Sequence, residues 1–347
     1  MLQDSDTFGS TDQKEVQEVE GRRAVVFKPI RIPRPEIVSR VIPSWNMNRE
    51  GRDFVVLRRF LYDGWPTPWR PLFQYEEGRW TSLAMHQADA DKIALQPRVI
   101  DVANGKHLSL QLSFLTEAQA AGFYDASLTV QLKREVQAHL AFSADESAAW
   151  GKCLNVPCFS QFSADSEPGL YPDQDLSPKA GNRFGKVGHF LCAPTSLLMV
   201  FHYYGAQVSL LDVSRYVFEQ RTTFYGVWAM NIAAVTRFLG LAGRGYAKKL
   251  LGMQDLEQEI LLGYPVITPI RWKKGYLTGA LQASSKGHLV VVVGFTEHGD
   301  VIVNDPLGIT PDEIRRVYNR REFWRCWQGS EDFEGLGMAY IIRGIPG

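Results

Sequence analysis

The chain has 347 residues, enough for two ordinary domains, because single cores stop growing near roughly 250–300 residues. It carries 38 Lys+Arg against 38 Asp+Glu, with 45% hydrophobic and 22% charged residues, a composition that excludes disordered and fibrous classes. Zero formal net charge provides no basic footprint, which argues against nucleic acid bound through its phosphates and against an anionic membrane surface.

Met1–Arg23 is acidic and polar where a signal peptide needs a basic start and an apolar run, so no export signal is expected and the chain reads as cytoplasmic. These residues lack periodicity and are expected to form a disordered tail, 1–23. From Ala24 the texture changes. Ala24–Ile30, Phe54–Tyr62, Arg79–Ala84, Arg98–Val102, Leu108–Phe114 and Leu128–Leu132 are short runs rich in Val, Leu, Ile, Phe and Thr. Turn signals at Asp63-Gly64, Glu77-Gly78 and Asn104-Gly105 separate them at hairpin spacings, which predicts an all-β sandwich over 24–145. Helix is suggested there only at Glu117–Phe123. Trp45, Trp65, Trp69 and Trp80 are read as packing residues of that domain and not as a sugar- or peptide-binding face.

The small, polar stretch Ser143–Gly151 reads as a linker, with its boundary placed at 146–151. Beyond it the hydrophobic period becomes helical. Leu197, Val200, Phe201 and Tyr204 share one face of a helix that starts at Cys192 and stops at Gly205. Ser209 and Asp212 form a capping-box pattern opening Leu210–Gln220, and further helices are predicted at Asn231–Leu239 and Leu256–Leu262. Strands follow at Pro265–Trp272, His288–Thr296, Val301–Asn304 and Met338–Arg343, with a hairpin turn at Glu297-His298-Gly299-Asp300. Helices first and strands after predict an α+β domain over 152–347. The longest apolar run, Leu289–Val293, falls far short of the roughly 20 residues of a membrane-spanning helix.

Four cysteines, Cys153, Cys158, Cys192 and Cys326, are too few for a disulfide framework in a chain this long. Cys192 stands in the first turn of its helix, where free amides and the positive dipole end favour a thiolate. His288 opens a buried strand, and Asp305 closes the next strand in Asn304-Asp305-Pro306, towards the same end of the hairpin. A carboxylate or carboxamide there could hold the imidazole in its working tautomer. Gln161, 31 residues before Cys192, could donate its amide to an oxyanion alongside the backbone N–H of the nucleophile.

Taken in order, VPCFSQF, CAPTSLLMVFHYYG, LLGYPVI, GHLVVVVGF and VNDP resemble the landmarks of papain-like cysteine peptidases of the bacteriocin-processing (double-glycine leader peptidase) type, especially stand-alone homologues with a β-rich N-terminal domain. That resemblance implies a papain-like α+β fold over 153–345 and hydrolysis of an amide bond in a peptide or protein substrate. It further implies Cys192 as nucleophile, His288 as general base and acid, Asp305 orienting the His, Gln161 in the oxyanion hole, and no cofactor. Many stand-alone relatives are exported, which runs against the cytoplasmic reading. Two positions depart from the pattern: Ala193 stands where the family commonly has Gly after the cysteine, and Cys158 where an aromatic residue is usual.

Three other readings compete. Cys153, Cys158, His189 and Cys192 supply the ligand types of a tetrahedral zinc site, which would deny Cys192 a free thiol. The same triad could transfer an acyl group to an amine instead of water, or the chain could be a silent peptide-binding homologue. The basic, aromatic segment Arg315–Gln328 is read as amphipathic, with Val317, Phe323, Trp324 and Trp327 packing on the core and Cys326 among them.

Overall fold

A computed structural model describes residues 8–32, 38–47, 53–83, 107–116, 120–132, 142–166, 187–221, 223–330, 333–334 and 337–345. The chain divides into two compact units, one made of residues 1–133 and 215–247, the other of 134–214 and 248–347. The expected strand Arg98–Val102, the turn Asn104-Gly105, the residues His86 and His139, and tail residues 1–7 lie outside the described residues.

The first unit is built on two antiparallel sheets. The larger runs in the order Lys14–Val19, Arg22–Phe27, Leu108–Leu115, Phe54–Tyr62, Arg70–Glu76 and Arg79–Ser82. The smaller places Phe123–Leu132 between Phe8–Thr11 and Val38–Met47. Trp45 of the smaller sheet meets Phe73, Trp80 and Phe114 of the larger at ring separations of 5.9, 6.1 and 5.5 Å. Trp45 and Trp80 are fully buried, as packing residues should be, whereas Trp65 is 80% exposed and the Trp69 ring carries the Arg59 guanidinium at 4.3 Å.

The expected disordered tail is corrected by this arrangement, since residues 8–11 and 14–19 are strands. Lys14–Val19 forms a hairpin with Arg22–Phe27 through Glu20 and Gly21, both at positive φ (52° and 73°), the backbone of a tight two-residue turn. It is an edge strand burying only Val19, so its polar residues hide the alternation. Residues 117–119 of the suggested helix are outside the described set, and Ala120–Gly122 is a single 3-10 turn before a strand.

Segment 215–247, expected within the catalytic domain, groups with the first unit. The reason is a set of specific hydrogen bonds. Asn46 exchanges two with the backbone of Gly245 (2.8 and 3.0 Å), and Thr236 Oγ1 accepts from the Met47 amide. The buried Glu219 carboxylate accepts from the Ser82 amide at 2.8 Å.

The second unit carries antiparallel strands β1 (Val266–Trp272), β2 (Ser285–Phe295), β3 (Val301–Asn304), β4 (Arg315–Tyr318) and β5 (Met338–Arg343), adjacent in the order β5-β1-β2-β3-β4. Helix α1 (Cys192–Tyr203) lies against β2, where Ser196 Oγ donates to Leu289 O at 3.3 Å. It buries Ala193 to Phe201 without a break, so it is enclosed on all sides and not only along the stripe seen in the sequence. Helix α2 (Met253–Leu261) and helix α3 (Arg320–Gln328) pack Leu256, Ile260, Phe323, Cys326 and Trp327 into a core with Val266, Ile270, Val290 and Val292 of the sheet. Val317 departs from expectation at 54% exposed, because it faces outward on the edge strand β4.

The expected linker is packed rather than free. Trp150 donates its indole N–H to Glu257 at 2.8 Å, and Arg320 donates to both Glu257 and Ser143 O. Cys153 pairs with Gly294 of β2. A Cβ at Gly294 would stand 2.2 Å from Lys152 O and 2.7 Å from Cys153 Cα, both backbone atoms. Gly294→Ala is therefore expected to cost about 1–3 kcal/mol through forced backbone movement, read as a lowered midpoint in denaturant unfolding.

Candidate active site

Strand pairing sets the site. Val291 lies opposite Asn304 in the β2–β3 ladder, so His288 and Asp305 both reach past the same end of the hairpin. His288 Nε2 and Asp305 Oδ1 are 2.7 Å apart, and both residues are buried, at 3% and 1% exposure. The backbone N–H of Leu307 donates to Asp305 Oδ1 at 3.0 Å and the Tyr318 hydroxyl donates to Oδ2 at 2.9 Å. The Cys192 sulfur, half-buried at the start of α1, hydrogen-bonds the same imidazole. With Nε2 engaged by Asp305, Nδ1 is the ring atom left for the sulfur.

Asn304, the alternative orienting residue, goes elsewhere. Alternation along β3 separates it from its neighbour, and it donates to Val156 O and Pro157 O at 3.1 Å while accepting from Arg315 Nε at 2.6 Å. It therefore fixes the segment leading to Gln161, and the carboxylate that meets the histidine is Asp305.

Electrostatics follow from the geometry. Burial works against an imidazolium at His288, but the Asp305 carboxylate and the Cys192 sulfur outweigh it, and the imidazole is raised well above its ordinary value, to about 10. Burial likewise opposes the Asp305 carboxylate, yet His288, the Leu307 amide and Tyr318 hold it below the usual carboxylate range. Burial, then the neighbouring carboxylate, pushes the Tyr318 hydroxyl up, so it stays a donor.

Gln161 is 1% exposed and tied in from two sides. Its amide donates to Pro306 O at 2.9 Å, next to Asp305, and its side-chain Nε2 donates to Gly188 O at 2.8 Å. Gly188 O also accepts from Leu191 N at 3.1 Å, in the turn directly ahead of Cys192. The donor to Gly188 O identifies the nitrogen end of the amide, and one N–H of that group is left for another acceptor. Thr195 N–Leu191 O closes the first turn of α1 without using the Cys192 amide. The four expected residues thus gather here, three in direct contact and Gln161 one hydrogen bond removed.

Two contributors went unnoticed in the sequence. Tyr318 sits in the RRVYNRREF segment, where a four-residue strand beside the Asn-Asp-Pro strand would have been its signal. Trp272, buried on β1, sets its ring 6.0 Å from that of His288 at 74°. Ala193 lies inside α1 and is not among the residues at positive φ, so alanine meets no backbone strain there. The zinc grouping is not assembled. Among the described residues no three His, Cys, Asp or Glu side chains cluster to hold a metal, and His189 is an exposed residue against Phe162. Cys326 is buried, with burial pushing its thiol up to about 12.

Residues 153–332 match the model of the Peptidase_C39-like family. A solved structure from Bacillus anthracis, assigned provisionally as a C39-like peptidase, is similar at a TM-score of 0.36 and 16% identity, covering 58% of this chain and all of that one. No curated protein matches the chain significantly.

The coupled pair has a stability signature. The raised His288 contributes stability in full below the unfolded imidazole value of about 6.5 and loses it as pH rises through the folded value. The lowered Asp305 contributes in full above about 3.9 and loses it as pH falls through its folded value. The stability gap between wild type and Asp305→Asn, measured by denaturant unfolding across pH, is expected to be widest between about pH 4 and 6.5 and to narrow on both sides.

Proposed function

The chain belongs to the Peptidase_C39-like family, and on that premise we propose that it is a cysteine peptidase working through Cys192, His288 and Asp305. The observation that carries this reading is the buried Asp305–His288 hydrogen bond at 2.7 Å with the Cys192 sulfur on the same ring. In this reading residues 152–214 and 248–347 hold a papain-like catalytic fold, and the β-rich first unit is an accessory domain. No helix among the described residues is long and apolar enough to cross a membrane, and the substrate in this reading is a peptide or protein.

The chemistry runs as follows. The Cys192 sulfur attacks the carbonyl carbon of a peptide bond, and the electron pair moves to the carbonyl oxygen. The remaining Gln161 N–H and the Cys192 amide stabilise that oxyanion, donors fixed before the reaction begins. His288 gives its proton to the leaving amine, and a thioester remains on Cys192. Water, deprotonated by His288, then hydrolyses the thioester and restores the thiol. Asp305 keeps the ring in one orientation and favours its charged form, while Tyr318 and the Leu307 amide keep the carboxylate from rotating.

A peptide-library cleavage assay checks this reading. Cys192→Ala is expected to abolish turnover, and Gln161→Ala to lower it about 10²–10³-fold as an oxyanion donor is lost. Cys326→Ala should stay near wild type. Cleavage retained by purified Cys192→Ala would overturn the assignment.

A further inference from the structure

The other two thiols of this unit share one cation. Arg315, half-buried on β4, donates Nε to Asn304 Oδ1 at 2.6 Å and one terminal nitrogen to Val156 O at 2.8 Å. Its other contacts are sulfur: one terminal nitrogen lies 3.4 Å from Cys153 Sγ, the other 3.9 Å from Cys158 Sγ. Elsewhere in the unit, Arg320 and Arg343 are paired with Glu257 and Glu259 at 2.6 and 2.8 Å. Among the described residues Arg315 has no such carboxylate, and the ionisable groups at its guanidinium are the two thiols.

We propose that Cys153 and Cys158 form an oxidation-sensitive dithiol clasped by Arg315, which a peroxide converts to a disulfide. Cys153 is exposed and Cys158 half-buried, so oxidant reaches the first and the second is placed to resolve it. An exposed thiol in an electropositive setting is where such chemistry concentrates. The chain between them turns back on itself, with Val156 N bonded to Leu154 O at 2.9 Å, while Leu154 N bonds Val293 O and anchors the Cys153 side to β2.

The steps balance. The Cys153 thiol attacks a peroxide, the O–O bond breaks, and Cys153 sulfenic acid and an alcohol or water result. The sulfur loses two electrons and the peroxide gains them. The Cys158 thiol then displaces the sulfenic oxygen, forming the S–S bond and releasing water. Forming an S–S bond of about 2 Å draws both sulfurs off their shared contact with the guanidinium, so Arg315 shifts and its hold on Asn304 and Val156 O weakens. Cys158 precedes Gln161 by three residues, and Asn304 adjoins Asp305. Oxidation therefore loosens the segment that leads to Gln161 and the residue beside Asp305. The consequence for turnover rests on the peptidase reading above; the crosslink itself does not.

The test uses the full chain carrying Cys192→Ala, treated with hydrogen peroxide, then alkylated and mapped by mass spectrometry. The expected product is a Cys153–Cys158 link, two hydrogens lighter and reversed by dithiothreitol, with Cys326 unlinked. Adding Cys153→Ser, at an exposed position, should abolish the link at an unchanged melting temperature. Arg315→Met should slow its formation about tenfold, as the electropositive setting is removed. Hydrogen exchange of the Gln161 amide should quicken in the linked protein. Peroxide treatment that leaves both Cys153 and Cys158 free for alkylation overturns the dithiol. A rate unchanged in Arg315→Met overturns the role of the clasp, and an unchanged Gln161 amide overturns the coupling to the site.

Discussion

The second unit depends on a buried imidazole–carboxylate pair. Two ionisable groups at 3% and 1% exposure could not both be charged without compensation, since removing one partner of such a pair costs about 3–5 kcal/mol. Compensation comes from three strands and a turn. β2 brings His288, β3 ends at Asp305, β4 brings the Tyr318 hydroxyl, and the turn after Asp305 brings the Leu307 amide. Every Asp305 oxygen then accepts from a fixed donor, and the ring it holds has one nitrogen left to face the cysteine. Strand register, and not local propensity, makes the site.

Much of this was legible in the residues. Cys192 could be placed on a helix start because Leu197, Val200, Phe201 and Tyr204 repeat at helical spacing up to a glycine, and α1 spans Cys192–Tyr203. The His288 and Asp305 strands were readable as Val-rich runs about a Gly turn, and Gly299 takes the positive φ of 81° that the turn requires. What did not show was set by partners distant in sequence. Lys14–Val19 looks like a polar tail because as an edge strand it buries Val19 alone, and Val38–Met47 is interrupted by Pro43 and Ser44 yet pairs along its length with Phe123–Leu132. Residues 215–247 look continuous with the peptidase segment, and it is partners more than a hundred residues earlier, Asn46, Met47 and Ser82 among them, that tie them to the first unit. Tyr318 was hidden for the same reason, its role existing only once β4 pairs with β3.

The four thiols also separate by surroundings rather than by motif. A Cys-x4-Cys followed by His-x2-Cys has the ligand types for zinc, but spacing does not bring side chains to a common point. Cys192 goes to His288, Cys153 and Cys158 go to Arg315, and Cys326 goes into the core beside Tyr276 O. Three environments, a buried base, a shared cation and an apolar interior, give one chain three kinds of cysteine. Asn304 joins the first two, adjoining Asp305 in sequence while holding the Arg315 guanidinium.

In the proposed mechanism the Cys192 sulfur and the His288 imidazole act as one chemical unit. Iodoacetamide alkylation, followed cysteine by cysteine by mass spectrometry as pH is varied, tests it without a substrate, with Cys326 as the buried internal control. Cys192 is expected to be alkylated much faster than Cys326, and His288→Ala to remove most of that advantage while leaving Cys326 unchanged. A Cys192 rate that is the same with and without the imidazole would contradict it.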